Sequence, residues 1–122
     1  MLREEFAAAL EKVQTVEEAE ALFEKEGMDI NALMAEEAEE EELSEEDLED
    51  VAGGVSAKQL KKILVAAFKR LGSGGWKGAA GSAVYDSAVL ITAYWDVMKH
   101  GNATRTFSEK KIMAAAKRFG LV

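Results

Sequence analysis

The chain has no cysteine, no proline and a single histidine. Without cysteine there is no disulfide, no thiolate metal site and no cysteine nucleophile. Without proline nothing breaks a helix from within, and abundant Ala, Glu, Lys and Leu favour helix nearly throughout. The lone His100 stands beside Gly101 at the expected end of a helix and has no second ligand or serine near it in sequence. It reads as a C-terminal residue that suits the helix dipole, and no Ser–His–Asp set can be drawn around it. No apolar run approaches the roughly 18 residues that span a bilayer, and a general secretory signal is not expected. Carboxylates are dense in the first half but in no evidently apolar setting for acid–base work. The alternating ligands of an EF-hand loop are missing, so no enzyme, metal or cofactor is expected.

What is present is a division of charge. The net charge of −8 over 122 residues conceals two opposite halves. Residues 1–54 hold three basic residues, Arg3, Lys12 and Lys25, against 20 acidic ones, a net of −17. Residues 55–122 hold 12 basic residues against Asp86, Asp96 and Glu109, a net of +9. Such asymmetry points to anionic lipid, nucleic acid or the chain's own acidic half as counterpart of the basic one.

In the acidic half Leu2, Phe6, Leu10 and Val13 recur at helical spacing to about Gln14. Thr15 with Glu18 has the form of a capping box and opens a second helix with Val16, Ala19, Leu22 and Phe23 apolar, stopped by Gly27. Asp29 is placed to cap a third short helix carrying Ile30, Leu33 and Met34. Glu36–Glu42 is nearly all glutamate and reads as a solvated linker or frayed helix.

Next comes Leu43-Ser44-Glu45-Glu46-Asp47-Leu48-Glu49-Asp50-Val51-Ala52-Gly53-Gly54. Ser44 is a natural N-cap, Glu45, Glu46 and Asp47 suit the first turn, and Leu48 and Val51 share a helical face. The glycine pair ends the helix and leaves bare backbone. This stretch closely resembles the end of a double-glycine leader peptide. The segment before it, with Phe6-Ala7-Ala8-Ala9-Leu10-Glu11-Lys12-Val13 and Ala21-Leu22-Phe23-Glu24-Lys25-Glu26-Gly27, resembles the Nif11-like leaders of ribosomally made peptide natural products. The resemblance covers residues 1–54. It implies cleavage between Gly54 and Val55, after Gly53-Gly54, by the protease of a peptidase-containing ABC exporter. Leu43, Leu48 and Val51 would dock in a groove of that protease. It also implies, as a further partner, a leader-binding modification enzyme. The lack of cysteine departs from the thioether-ring products common behind such leaders.

In the basic half Ser56 is placed to cap a helix to Leu71, with Leu60, Ile63, Leu64, Ala67, Phe68 and Leu71 as its apolar stripe. Lys58, Lys61, Lys62, Lys69 and Arg70 lie beside or opposite that stripe. This is the pattern of a membrane-surface helix and equally of a helix packed on its neighbours. Gly72–Gly78 reads as an inter-helix loop with an interfacial Trp76, since the P-loop spacing is missing. A second helix is expected from about Ala79 to Lys99, with Val84, Ala88, Ile91, Trp95 and Met98 on one face and so little charge that it belongs at the centre of protein or lipid. Small residues at its start permit close helix approach. Thr106 with Glu109 has the form of another capping box, opening a last helix to about Phe119 that Gly120 ends.

The expected fold is all-α: a small helical bundle or bundles, with an acidic helical leader (1–54) and a cationic core of about three amphipathic helices (55–122). The basic half is similar in size and texture to helical, saposin-like bacteriocins, in style and without a shared motif. The expected function is a bacteriocin-like precursor, made in the cytoplasm, whose core is exported and secreted. Lys58, Lys61, Lys62, Phe68, Lys69, Arg70, Trp76 and Trp95 would be its membrane-active residues. Two alternatives stand beside it: an uncleaved helical interaction protein binding a protein or nucleic acid, and a precursor substrate of a peptide-modifying enzyme. The leading reading expects no nucleic acid, because the lysines alternate with apolar residues and no nucleic-acid module is visible.

Overall fold

The computed structural model describes residues 3–29, 57–71, 78 and 81–120. Among these residues it is all-α, with five helices and no strand: α1 (Arg3–Glu11), α2 (Val16–Lys25), α3 (Ala57–Arg70), α4 (Ser82–His100) and α5 (Glu109–Arg118). The third short helix expected near Ile30, Leu33 and Met34, the Glu36–Glu42 linker, the Leu43–Val55 stretch and Trp76 lie outside the described residues.

Local chemistry sets most helix ends. Thr15, in extended conformation, accepts the Glu18 amide on its hydroxyl at 3.2 Å, as an N-cap should. The Glu18 carboxylate completes a variant of the capping box: it accepts from the Gln14 amide at 3.3 Å, one residue before the cap. Gly27 leaves α2 with φ +75°, in the left-handed region that glycine enters without steric cost.

Two helix starts differ from the sequence expectation. The expected Thr106–Glu109 box does not form. Ser108 is the N-cap of α5 and accepts the Lys111 amide at 3.3 Å. Thr106 is engaged elsewhere, its hydroxyl donating to Asp96 Oδ2 at 2.7 Å. The central helix begins at Ser82 rather than Ala79, because Gly81 takes φ +63° and ψ −134°, outside the helical region. A Cβ at Gly81 would meet nothing within 4 Å, so the glycine serves the backbone turn and not a close packing contact.

The helix α4 organises the bundle. It packs against α3 and α5 and also against α1 and α2, which pair with each other. Phe6 and Phe23 join α1 to α2 with ring centroids 6.2 Å apart. Phe68 of α3 stacks on Tyr94 of α4 with ring centroids 4.2 Å apart and ring planes nearly parallel. One hydrophobic cluster contains Phe6, Leu10 and Phe23 from the acidic half together with Ile63, Leu64, Ile91 and Ile112 from the basic half. The charge boundary at Gly54 therefore does not divide the core.

Candidate functional site

The side chains that give α4 its character are polar. At 100° per residue, Ser82, Tyr85, Asp86, Thr92 and Asp96 fall within about a third of the helix circumference. Of these, Asp86, Thr92 and Asp96 are buried, Thr92 and Asp96 completely. Buried carboxylates need partners, and both find them on α5 or the loop that leads into it. Asp86 accepts two hydrogen bonds from Arg118, from Nε and Nη2, each 2.8 Å long. This fork geometry is the strong form of an ion pair. Asp96 accepts from the Thr106 hydroxyl, and its Oδ1 lies 4.0 Å from Arg105 Nη1. Tyr85 meets Phe107 edge-on at 6.3 Å. Its phenol pKa is raised, first by burial and then by the carboxylates of Glu11 and Asp86, against the opposing pull of Lys111 and Arg118. The Arg118 pKa is raised too, by its hydrogen bonds to Asp86 and by that carboxylate's charge.

A polar seam thus fastens α5 to α4. Two buried hydroxyls of α4 have no hydrogen-bond partner among the described residues, Thr92 Oγ1 on this stripe and Ser87 Oγ off it, and mark where polarity is carried into the core at some cost. Removing the guanidinium should be felt. Arg118→Ala leaves Asp86 in place with its fork empty, and a loss of roughly 1–3 kcal/mol is expected for an unsatisfied buried acceptor. Urea unfolding followed by circular dichroism measures it. Asp86→Asn in the Arg118→Ala background should recover part of the loss, because the charge is then gone.

The seam could not be read from the sequence as a site. Asp86 and Asp96 were visible as the only acids on an apolar helix, but their partners lie 32 and 10 residues further on.

The residues expected to meet a membrane are distributed unevenly. Lys58, Lys61 and Arg70 are exposed on α3, and Lys62 and Lys69 are half-buried beside them. Arg70 reaches α5, where its Nη1 donates to the Phe119 carbonyl at 2.7 Å and places a cation at the negative end of that helix. Phe68 is buried against Tyr94 and Trp95 is half-buried, with Lys99 Nζ 5.3 Å from the centre of its ring. Trp76 and the processing residues Leu43, Leu48, Val51, Gly53, Gly54 and Val55 lie outside the described residues.

Among the described residues, α1 and α2 meet the basic half through apolar side chains of the shared core and one ion pair. Lys111 of α5 pairs with Glu11 of α1 at 3.3 Å, but each side chain is about half exposed, at 52% and 53%. Such a pair contributes only about 0–1 kcal/mol. The buried Phe6, Leu10 and Phe23 contribute more, at about 1.5–3 kcal/mol for each large side chain removed from water. Among the described residues no group of three acidic, histidine or cysteine side chains could hold a metal ion, and no helix is long and apolar enough to cross a membrane. No family model matches the chain, and neither does a curated protein or a solved structure.

Proposed function

We propose that this chain is a precursor: residues 1–54 form a leader, and residues 55–122 form a cationic, membrane-active helical product of about three helices. A peptidase-containing ABC exporter cuts after Gly54 and releases the product outside the cell. The observation that carries this reading is a coincidence of boundaries. The glycine pair ends the acidic segment whose helices α1 and α2 lie on α4, and the cationic segment begins beyond it.

On this reading the leader is a cover as well as an address. Within one chain, α1 and α2 face α4 at the effective concentration of a tether, commonly millimolar. After the cut they are free to be diluted away. The basic half then loses Phe6, Leu10 and Phe23 as partners, and apolar surface of its core is uncovered. Asp86 and Asp96 on α4 argue for action at the lipid surface instead of across it, since a charge at the bilayer centre is costly. A leader-binding modification enzyme would meet the same acidic segment.

Co-expression with such an exporter tests the reading. The secreted product is expected to begin at Val55 by mass spectrometry. Gly53→Leu is expected to stop the cut, since a branched side chain does not fit a channel shaped for bare backbone. Normal processing of that variant sinks the leader reading.

A second reading is favoured by the continuity of the core across Gly54. The chain would then act uncut, as one acidic–basic bundle that binds a protein or nucleic acid, with Gly53-Gly54 a hinge. An intact secreted or cytosolic chain beside a functional exporter would support it.

A further inference from the structure

The seam between α4 and α5 is built differently at its two ends. At the base of α5 it is an anchor. Phe107 is buried and meets Tyr85 edge-on, and the neighbouring Thr106 hydroxyl donates to the fully buried Asp96. At the far end it is a latch. The Arg118 fork on Asp86 joins a carboxylate side chain that is 7% exposed to a guanidinium side chain that is 57% exposed. Between anchor and latch α5 buries Ile112, Ala115 and Ala116, one large side chain and two small ones. The helix α3 is held otherwise, by a stripe of Leu60, Ile63, Leu64, Phe68 and Leu71, all buried. Two further polar contacts of α5, Arg70 on the Phe119 carbonyl and Lys111 with Glu11, lie at the exposed surface.

We propose that α5 is an arm, hinged at Ser108, that unlatches from α4 and opens onto an anionic lipid surface. Its cations Lys110, Lys111, Lys117 and Arg118 fall within about a third of the helix circumference, and Ile112, Ala115, Ala116 and Phe119 lie on the other side. A helix divided in this way lies well in a lipid interface once it is free. A lipid phosphate offers Arg118 the same two-oxygen geometry that Asp86 offers. Arg118 is the exposed member of the pair, so it is the one a headgroup reaches. Asp86 stays on α4 and meets water when the arm leaves, which returns part of the cost of burying it. Release of α3 would instead expose Phe68 and its leucines with no such return. Ser108 is in extended conformation just outside α5, and a change in a few torsions there suffices for a hinge. The lipid partner rests on the membrane-active reading, while the arm itself is complete in the uncut chain.

The test uses the full chain, which has no cysteine of its own to take a label. Ala66→Cys with Ala114→Cys puts spin labels on α3 and α5, and Ala66→Cys with Met98→Cys puts them on α3 and α4. Pulsed electron paramagnetic resonance reads each distance in buffer, with neutral vesicles and with phosphatidylglycerol vesicles. The α3–α5 distance is expected to be narrow in the first two and to lose its narrow peak with the anionic lipid, while the α3–α4 distance stays narrow in all three. Asp86→Leu with Arg118→Met leaves the net charge unchanged and replaces the latch by an apolar contact. It should keep the arm closed on anionic vesicles. Asp86→Asn, which keeps Arg118, should open it at a lower fraction of anionic lipid. Circular dichroism and melting temperatures report that each variant is folded. An arm that stays closed on anionic vesicles, a chain that does not bind them, both distances broadening together, or indifference to the latch variants overturns the proposal. Opening by inorganic phosphate alone removes lipid as the trigger and overturns it too. If peptide 55–122 empties vesicles while the arm stays closed, the arm fails and the precursor reading stands. An arm that opens in a chain the exporter never cuts gives the reverse.

Discussion

Peptide 55–122, free of residues 1–54, is expected to empty anionic vesicles at micromolar concentration, while the uncut chain at the same ionic strength leaves them largely sealed. Near an anionic surface each Lys or Arg contributes on the order of 1 kcal/mol. Engaging half of the 12 basic residues of this segment therefore gives several kcal/mol of attraction before any apolar insertion. The structure refines what should differ between the two forms. Lys58, Lys61, Lys110 and Lys117 are already exposed in the uncut chain, so the charge of these four is not hidden by burial. What α1 and α2 cover is apolar: the α4 residues in the cluster that Phe6, Leu10 and Phe23 share. Binding measured by co-sedimentation should therefore differ less between the two forms than leakage of an entrapped dye. A fragment that leaves anionic vesicles intact removes the membrane-active reading, and the uncut interaction protein becomes the better account.

The ends of the helices were legible where they are settled within a few residues. Thr15 and Gly27 bracket α2, and Gly101 at φ +72° and Gly120 at φ +76° follow α4 and α5, because caps and left-handed glycines act through neighbouring backbone groups. The same logic failed where a distant group competed. Thr106 and Ser108 are both good caps by type, and the hydroxyl of Thr106 was drawn off by Asp96, which no local pattern announces. At Gly81 a run of small residues looked helical, while the backbone turned there instead.

The relation between the halves was harder still to read. Opposite net charges point to the acidic segment as an electrostatic counterpart of the basic one, and most of those acidic residues lie outside the described residues. The sequence also carries the apolar stripes of α1 and α2 plainly. A stripe, however, names no partner: period and spacing show that a face must be covered and leave open by what. Here α4 covers it, and it does so while directing its polar stripe toward α5. The burial of Asp86 and Asp96 follows from that arrangement and not from their own neighbours, which is why two charges on an apolar helix looked incidental.

If the cover is apolar, a substitution in it should uncover the basic half without any cut. Phe23 of α2 is 1% exposed and packs on Phe6 within the shared cluster. Removing a buried Phe side chain costs about 3–5 kcal/mol, and a carboxylate placed there must also be desolvated or force its way to water. Against a total stability of roughly 5–15 kcal/mol for a domain, Phe23→Asp is expected to detach the α1–α2 hairpin. The uncut variant should then release vesicle contents nearly as well as the 55–122 peptide. Glu11→Lys is the matched control. It removes the ion pair to Lys111, which is half exposed on both sides and holds only about 0–1 kcal/mol, and it also lowers the acidity of the leader. It should leave the uncut chain nearly silent. With Trp76 replaced by Phe in every chain compared, tryptophan fluorescence from the half-buried Trp95 follows whether α4 stays packed in each variant. Leakage by Glu11→Lys with none by Phe23→Asp would mean that charge, and not the apolar face of α1 and α2, keeps the basic helices from the membrane.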